Sequence, residues 1–197
     1  MFTIETERLK LRELNGNDDK FLYDILSDEE TMKYYPAPYD INRVRKSIKS
    51  SIVSYKENQF GLWGVILKEQ DKFIGECGIT KQNIDGFIVP EIGYHINKKF
   101  WRKGFAAEAS IACLKYGFEK LKLSEIYIHT YVKNIPSIRV AEKLKMNRIK
   151  EFDKYSNDYN IYMKHVVYKT DVKQYLNLKK IFDKFSISIF GYSTSSV

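Results

Sequence analysis

The stretch EIGYHINKKFWRKGFAAEA, residues 91–109, indicates the fold most directly. Its first six residues combine apolar and aromatic side chains in the manner of a strand, and beyond Gly104 the apolar residues recur at helical spacing. We therefore predict a strand, a short basic turn and a helix that begins next to the glycine. The turn places Arg102 and Lys103 directly before Gly104, so two basic side chains lie where the helix begins.

The turn before this helix has the composition of an anion-binding site. A helix N-terminus presents unpaired backbone N–H groups and about half a unit of positive charge, which together bind phosphate without side chains. Gly104 would let an anion approach closely, Ala106 and Ala107 keep the first turn narrow, and Arg102 and Lys103 add charge. A pyrophosphate would fit there. The alternative is a plain turn with surface charge, because neither a P-loop nor a dinucleotide fingerprint is present.

Length and composition are those of one folded domain. The chain has 197 residues, of which 44% are hydrophobic and 15% aromatic, and this content excludes a disordered protein. The formal net charge of +8 favours anionic partners. Because the lysines are dispersed, we expect a solvated basic surface and no nucleic-acid partner.

The cysteines and the apolar runs suggest a reducing, aqueous setting. Cys77 and Cys113 both lie in apolar runs without a partner at metal-ligand spacing, so we expect buried, reduced thiols. The N-terminus lacks the apolar core of a signal peptide, and no stretch reaches the ~18 apolar residues of a membrane span. We therefore expect a cytoplasmic protein without a membrane partner.

The order of the predicted elements gives the fold class. RLKLREL alternates like a strand, helical patterns follow, and FGLWGVIL, KFIGECGIT and FIVPEIGYHI predict three successive strands. A helix, a strand, a helix and two strands complete the order. We predict an α/β (α+β) fold with a mixed, mostly antiparallel central sheet and helices on both faces.

The C-terminal part of the chain differs from the rest. We expect a single domain over residues 1–175 and an extension over residues 176–197 that is helical at first and flexible at its Ser-rich end. The apolar residues of the extension would cover either the domain's own surface or a partner's. Whether the protein forms a homodimer stays open at this point.

Four motifs together resemble a known family. ETERLKLREL, EIGYHI with FWRKGFAAEA, NIPSIRVAEKL and MKHVVYKTDV occur in the order and spacing of the GNAT superfamily of acetyl-CoA-dependent N-acetyltransferases. They are most similar to its ribosomal-protein alanine N-acetyltransferase (Rim-type) branch. The resemblance covers about residues 3–175. It implies a GNAT-type sheet with strands splayed at the cofactor site, and direct attack of an amine on acetyl-CoA in a ternary complex.

The resemblance also implies which residues hold acetyl-CoA. The strand before the glycine turn pairs its backbone with the pantetheine arm, here at Tyr94, His95 and Ile96. The turn and the first helical residues hold the pyrophosphate, and these correspond to Arg102, Lys103, Gly104, Phe105, Ala106 and Ala107. The family's Asn at the start of the following helix reaches the cofactor arm and corresponds to Asn134.

The sequence departs from the family pattern at three places. Trp101 stands where many members have Gln or Arg, a variant found in the Rim-like branch. The Tyr that often protonates the thiolate falls at Ala141, whereas Ser137 matches the substitute acid of the Rim-like branch. Lys145 and Met146 replace a Gly-Phe pair, which affects the conformation of that corner more than the chemistry.

Acetyl transfer needs a base for the amine and an acid for the departing thiolate. We expect Glu91 to be the base, because it lies on the strand beside the thioester in the family layout. A structural carboxylate at this position, or a water chain as the base, is the alternative. Ser137 is the expected acid, with a plain helix cap as its alternative. His95, His129 and His165 are not at ligand spacing, so we expect packed or edge side chains and no metal.

Of the partners in the reaction, the acceptor amine is the one that the sequence determines least. The amine could be a protein N-terminus, as on a ribosomal protein, or a small amine such as a polyamine, an aminoglycoside or an amino acid. A non-catalytic module that binds the cofactor on RNA or ribosomes is the other class of function. A polyamine acceptor would need acidic residues, which DILSDEETM supplies, and the aromatic loop KYYPAPY could line an acceptor pocket.

Overall fold

The computed structural model describes residues 2–156 and 158–191. In this part of the chain nine strands form one sheet. The strands are β1 Thr3–Glu5, β2 Leu9–Glu13, β3 Leu62–Leu67, β4 Lys72–Ile84, β5 Phe87–Ile96, β6 Glu125–Tyr131, β7 Asn147–Ser156, β8 Ile161–Asp171 and β9 Ser188–Phe190. The helices are α1 Asp19–Leu26, α2 Glu29–Met32, α3 Ile41–Asn58, α4 Phe105–Glu119, α5 Ile135–Lys143 and α6 Val172–Phe182.

The sheet is mixed and mostly antiparallel, as predicted. Its strand order is β7-β8-β6-β5-β4-β3-β2-β1-β9. Every neighbouring pair runs antiparallel except β5 and β6, which are parallel and share a single register pair, Glu91 with Tyr127. Beyond that pair the two strands separate, so the end of β5 has no neighbour on its β6 side. This is the predicted splay of the strands.

Helices cover both faces of the sheet. On one face α4 packs closely: a Cβ on Gly117 would lie 2.6 Å from Ile126 Cδ1, so a larger residue would displace that side chain. On the other face α1 and α3 form a second apolar cluster, to which Leu22, Ile25 and Val44 contribute. Each face of β5 therefore meets a different group of helices.

The residues after Tyr175 pack on this chain. Within α6 the ring of Tyr175 stacks on Phe118 of α4 at 4.8 Å, and Phe182 is buried beside it. Further on, β9 pairs antiparallel with β1, so the sheet extends into the predicted extension. Some of its apolar residues, Phe182 among them, thus cover the chain's own surface, whereas Leu176, Ile181 and Phe190 stay exposed. Residues 192–197, whose Ser-rich end we expected to be flexible, lie outside the described residues.

Three further features bear on the expectations from the sequence. Cys77 and Cys113 are both buried and free, with their sulfur atoms 3.7 Å apart. Among the described residues, no helix combines the length and the hydropathy needed to cross a bilayer. The same residues contain no group of three or more His, Cys, Asp or Glu side chains placed to hold a metal ion.

Candidate active site

A cavity of about 630 Å³ lies beside the splayed end of β5, between the N-terminal ends of α4 and α5. Most of the predicted site residues line it. They are Tyr94, His95, Ile96, Arg102, Gly104, Phe105, Ala106, Ala107, Asn134 and Ser137. The lining does not include Lys103 or Glu91. The structure therefore brings ten of the twelve predicted residues together around one cavity and leaves Lys103 and Glu91 outside its wall.

The N-terminus of α4 has no side-chain cap. Its first residue is preceded by Gly104, which adopts φ 84°, a left-handed conformation that favours glycine. No side chain accepts a hydrogen bond from the first turn. The backbone N–H groups of Phe105, Ala106 and Ala107 therefore lack an intrahelical acceptor, and all three residues line the cavity. Unpaired N–H groups of this kind are what binds anions at helix N-termini.

A buried carboxylate fixes the turn before α4. Glu108 is 4% exposed and accepts hydrogen bonds from the backbone N–H of Arg8 at 3.0 Å and from the Thr6 hydroxyl at 2.5 Å. Nε of Arg8 donates to the same carboxylate at 2.7 Å, and its Nη1 donates to the carbonyl oxygen of Lys103 at 3.0 Å. Lys103 thus contributes its backbone to the turn. Sequence reasoning missed Arg8 and Glu108, although a glutamate in the first turn of an apolar helix is a usable signal.

Trp101 ties the same turn to the strand before it. Its indole Nε1 donates to the carbonyl oxygen of Ile96 at 2.6 Å. The family often has Gln or Arg at this position, and here the indole closes the end of β5. The left-handed backbone of Arg102, with φ 63°, then turns the chain toward Gly104.

The N-terminus of α5 is capped, and the cap orders the predicted acid. Asn134 Oδ1 accepts a hydrogen bond from the backbone N–H of Ser137 at 3.2 Å, and Pro136 occupies the first turn. Asn134 is therefore the N-cap, so the role of Ser137 is not that of a helix cap. The Ser137 hydroxyl is left for another partner.

That partner is Tyr94. The Tyr94 hydroxyl lies 2.6 Å from Ser137 Oγ, and burial raises the pKa of the phenol despite the opposing effect of this hydrogen bond. Tyr94 therefore stays protonated at any ordinary pH. We predicted a backbone role for Tyr94 and missed its side chain. The alternation of Ile92, Tyr94 and Ile96 would have placed the ring on the face toward α4 and α5.

Glu91 lies on the opposite face of the sheet. It is 7% exposed, and its Oε1 is 3.0 Å from Nδ1 of His129 on β6. Its Oε2 accepts from the hydroxyl of Thr80 on β4 at 3.5 Å. On its other side His129 places Nε2 2.9 Å from Nζ of Lys154, a lysine whose pKa is lowered by burial. Both oxygens of Glu91 thus lie against side chains of neighbouring strands, although the His129 contact does not form a hydrogen bond.

His95 forms a second carboxylate–imidazole pair on this face. Its Nδ1 lies 2.9 Å from Oε1 of Glu76, which is only 1% exposed. The rings of Tyr35 and Tyr39 lie 4.9 Å and 6.3 Å from the imidazole. We expected a packed or edge histidine here. The Asp85-Gly86 turn was the missed signal, because a two-residue hairpin fixes the register and places Glu76 and His95 at equal distances from the turn.

A match to a family sequence model over most of the chain identifies its family. The sequence model of the acetyltransferase (GNAT) domain family matches residues 8–147 of this chain. The chain belongs to the GNAT acetyltransferase family. The matched segment runs from Arg8, which braces the turn before α4, to the first residue of β7. It includes every residue of the cavity wall discussed above.

Known GNAT proteins resemble the chain over most of its length. A protein of Bacillus licheniformis named "Uncharacterized N-acetyltransferase p20" is 34% identical over 75% of this chain and 84% of its own length. The crystal structure of a GNAT-family acetyltransferase from Bacillus anthracis shares 30% identity at a TM-score of 0.72, covering 87% of this chain and 98% of that one. A spermidine N-acetyltransferase from Vibrio cholerae, solved with CoA and spermine, shares the fold at 22% identity and a TM-score of 0.69, covering 86% and 99%.

Proposed function

We propose that this GNAT protein moves an acetyl group from acetyl-CoA to a primary amine by direct attack in a ternary complex. The observation that carries the proposal is the pair of hydroxyls on Tyr94 and Ser137, 2.6 Å apart. Both residues line the cavity that also reaches the uncapped start of α4. One cavity thus combines an anion site with a proton donor, the two features that a CoA thioester requires.

Acetyl-CoA fits the residues present. The unpaired N–H groups at the start of α4 would hold its pyrophosphate, with added charge from Arg102, Arg139 and Lys143 in the same wall. The backbone of residues 94–96 lies at the edge that β5 exposes where β6 departs, and its polar groups would pair with the pantetheine amides. Asn134 caps α5 through Oδ1, so its side-chain N–H₂ would be available to donate a hydrogen bond to the pantetheine arm.

The hydroxyl pair would supply the acid. Attack of the amine forms a tetrahedral intermediate, and its collapse breaks the C–S bond and releases a thiolate. The Ser137 hydroxyl would donate its proton to the sulfur while the Tyr94 hydroxyl donates to Ser137 Oγ. Acting alone, Ser137 would be left as an alkoxide, which is too basic to form readily. The adjacent Tyr94 hydroxyl returns a proton to Ser137, and this makes Ser137 usable as the donor.

We propose a peptide N-terminus as the acceptor. An open groove of about 980 Å³ runs between α3 and β4, with mixed polar and aromatic walls suited to an extended chain. Tyr39 lies in this groove and 6.3 Å from His95, so the groove leads toward the cavity. An α-amino group also has a pKa of about 8 and is partly neutral at pH 7.

The acidic segment before α3 does not favour a polyamine. Asp28 accepts from Nζ of Lys98 at 2.6 Å and caps α2, and Glu30 pairs with Lys33. Neither carboxylate is in the wall of the cavity or of the groove. A free polyamine would therefore find these charges already compensated.

We also propose a cytoplasmic setting. Cys77 and Cys113 are buried free thiols whose sulfur atoms lie 3.7 Å apart, and such a pair persists unoxidised in a reducing compartment.

A thiol-release assay tests the function. Acetyl-CoA is offered with Ala- and Ser-starting peptides, spermidine, an aminoglycoside and free amino acids, using the wild type, Ser137→Ala and the exposed control Ser124→Ala. We expect turnover on the peptides, lost in Ser137→Ala and kept in Ser124→Ala. Turnover on spermidine but on no peptide would show that the acceptor is a small amine and not a peptide N-terminus. Binding of CoA without turnover on any acceptor would instead support a non-catalytic module.

A further inference from the structure

We infer that His95 is the catalytic base that takes the proton from the acceptor amine, and that Glu76 positions it. This inference rests on the proposed acetyl transfer and assigns the step on the acceptor side of the sheet. It replaces Glu91, the base expected from the sequence.

The geometry leaves one nitrogen of His95 free for a proton. A carboxylate can only accept a hydrogen bond, so Nδ1, 2.9 Å from Oε1 of the buried Glu76, carries the hydrogen. The lone pair then resides on Nε2. This nitrogen is buried and has no hydrogen-bond partner among the described residues, and a buried polar atom without a partner is costly. A substrate N–H would satisfy it.

His95 is also placed at the reacting centre. It lines the same cavity as Ser137 and directly follows Tyr94 in β5, so the two side chains lie on opposite faces of the strand. Base and acid would therefore reach the thioester from two sides. Gly93 leaves room beside His95, because a Cβ there would meet nothing nearer than Glu91 Oε2 at 3.6 Å.

Glu91 is less well placed for this step. It does not line the cavity, and its two oxygens face His129 and Thr80. The groups that face the His95 ring are Glu76 on β4 and Tyr35 and Tyr39 before α3, with Glu91 further along the same strand. Among these groups the tyrosines form an aromatic wall over the imidazole, and an amine could approach between them.

The protons balance as follows. A neutral amine attacks the thioester carbon, and one N–H proton passes to His95 Nε2 as the C–N bond forms. The C–S bond then breaks, and the sulfur takes a proton from the Ser137–Tyr94 pair. His95 releases its proton to water, and the hydroxyl pair regains one from water. No oxidant or metal takes part.

The test compares His95→Gln and Glu76→Gln with His165→Gln. His165 is a matched control, because it is a histidine with an unpartnered buried nitrogen on the same face of the sheet but outside the cavity wall. We expect His95→Gln to lower kcat by about 100-fold and to remove the enzyme's share of the acidic limb of the kcat/KM profile, so that the amine alone sets that limb. Glu76→Gln should lower kcat less, and His165→Gln should match the wild type. Calorimetric titration with CoA should give the same affinity for all four proteins.

Two further readouts separate a base from a structural histidine. Added imidazole should restore part of the activity of His95→Ala, whereas a purely structural defect would not respond. The ¹⁵N spectrum of the wild-type imidazole should show the hydrogen on Nδ1. If the wild type is active, then hydrogen on Nε2, or a His95→Gln variant as active as the wild type, would overturn this inference alone. A wild type that binds CoA but acetylates no amine would overturn the proposed function and this inference together.

Discussion

The helices α4 and α5 both begin at the cavity, but only one of them has a capped N-terminus. At α5 the side chain of Asn134 accepts the N–H of Ser137, so the first turn is used to hold a reactive hydroxyl in place. At α4 the preceding residue is Gly104, and no side chain competes for the first N–H groups. In the proposed function, the capped helix positions the acid and the uncapped helix leaves its backbone free for the anion.

Most other helices of the described chain have a side-chain cap, and α1, which has none, continues from a short 3-10 turn capped by Asn15. Asp28, Asp40 and Asp171 each accept a backbone N–H at the start of α2, α3 and α6. An aspartate is a good cap, but it would repel a phosphate. We therefore propose that the bare start of α4 is a binding feature, which gives up about 1 kcal/mol of helix stability.

The largest effect should come from the hydroxyl that the capped helix positions. Ser137→Ala should lower kcat by about 100-fold, since general acid catalysis typically contributes that much or more. Tyr94→Phe should act in the same direction, and the double variant should be little worse than Ser137→Ala because the two hydroxyls form one unit. Steady-state kinetics check this. An increase in KM with unchanged kcat would contradict the assigned role.

The next effect concerns the uncapped helix. Gly104→Asp should raise the Kd for CoA by about tenfold, since it places a negative charge where the pyrophosphate binds. Gly104→Asn is the matched control, because asparagine tolerates the left-handed backbone and carries no charge. Calorimetry at low and high salt should show the difference between the two variants shrinking as salt screens the charge. Equal affinities at low salt would mean that the anion binds elsewhere.

A smaller effect should follow from removing a cap. Asn134→Ala and Asp171→Ala should each lower the free energy of unfolding by about 1 kcal/mol. Only Asn134→Ala should also lower kcat, by a few fold, because Ser137 loses the partner of its backbone N–H. Urea unfolding and steady-state kinetics on both variants measure this. A loss of activity in Asp171→Ala of the same size would show that stability, and not position, controls the rate.

The smallest effect concerns the Asp28 cap of α2. A hydrogen bond from Lys98, with help from Thr31, lowers the pKa of Asp28 to about 2 from an ordinary value of 3.8. The folded state therefore binds this proton less tightly, and the stabilisation is complete above pH 4 and fades toward pH 2. Asp28→Asn should cost under about 1 kcal/mol at pH 7 and almost nothing near pH 2. Urea unfolding at both ends of this range tests the sign.

The sequence predicted local features well. The strand, the basic turn and the helix around Gly104 were confirmed, because each depends on residues close together in the chain. The cap at Asn134 is equally local. The Glu76–His95 pair could also have been found, since the turn at Asp85 and Gly86 sets the register of β4 on β5.

Contacts between distant segments could not be found in that way. The bond between Arg8 and Glu108 joins residues that are far apart in the chain, so a local pattern can single out Glu108 but not its partner. The strand β1 and the edge strand β9 each have three residues, too few for an alternating pattern to stand out. Their pairing is decided by tertiary structure.

The most direct measurement is a titration of the ¹⁵N-labelled protein with CoA, followed through its backbone amides. The largest shifts should occur at Phe105, Ala106 and Ala107 and along residues 94–96, with smaller shifts at Ser137. Shifts concentrated at the capped starts of α3 or α6, with the start of α4 unchanged, would contradict the account.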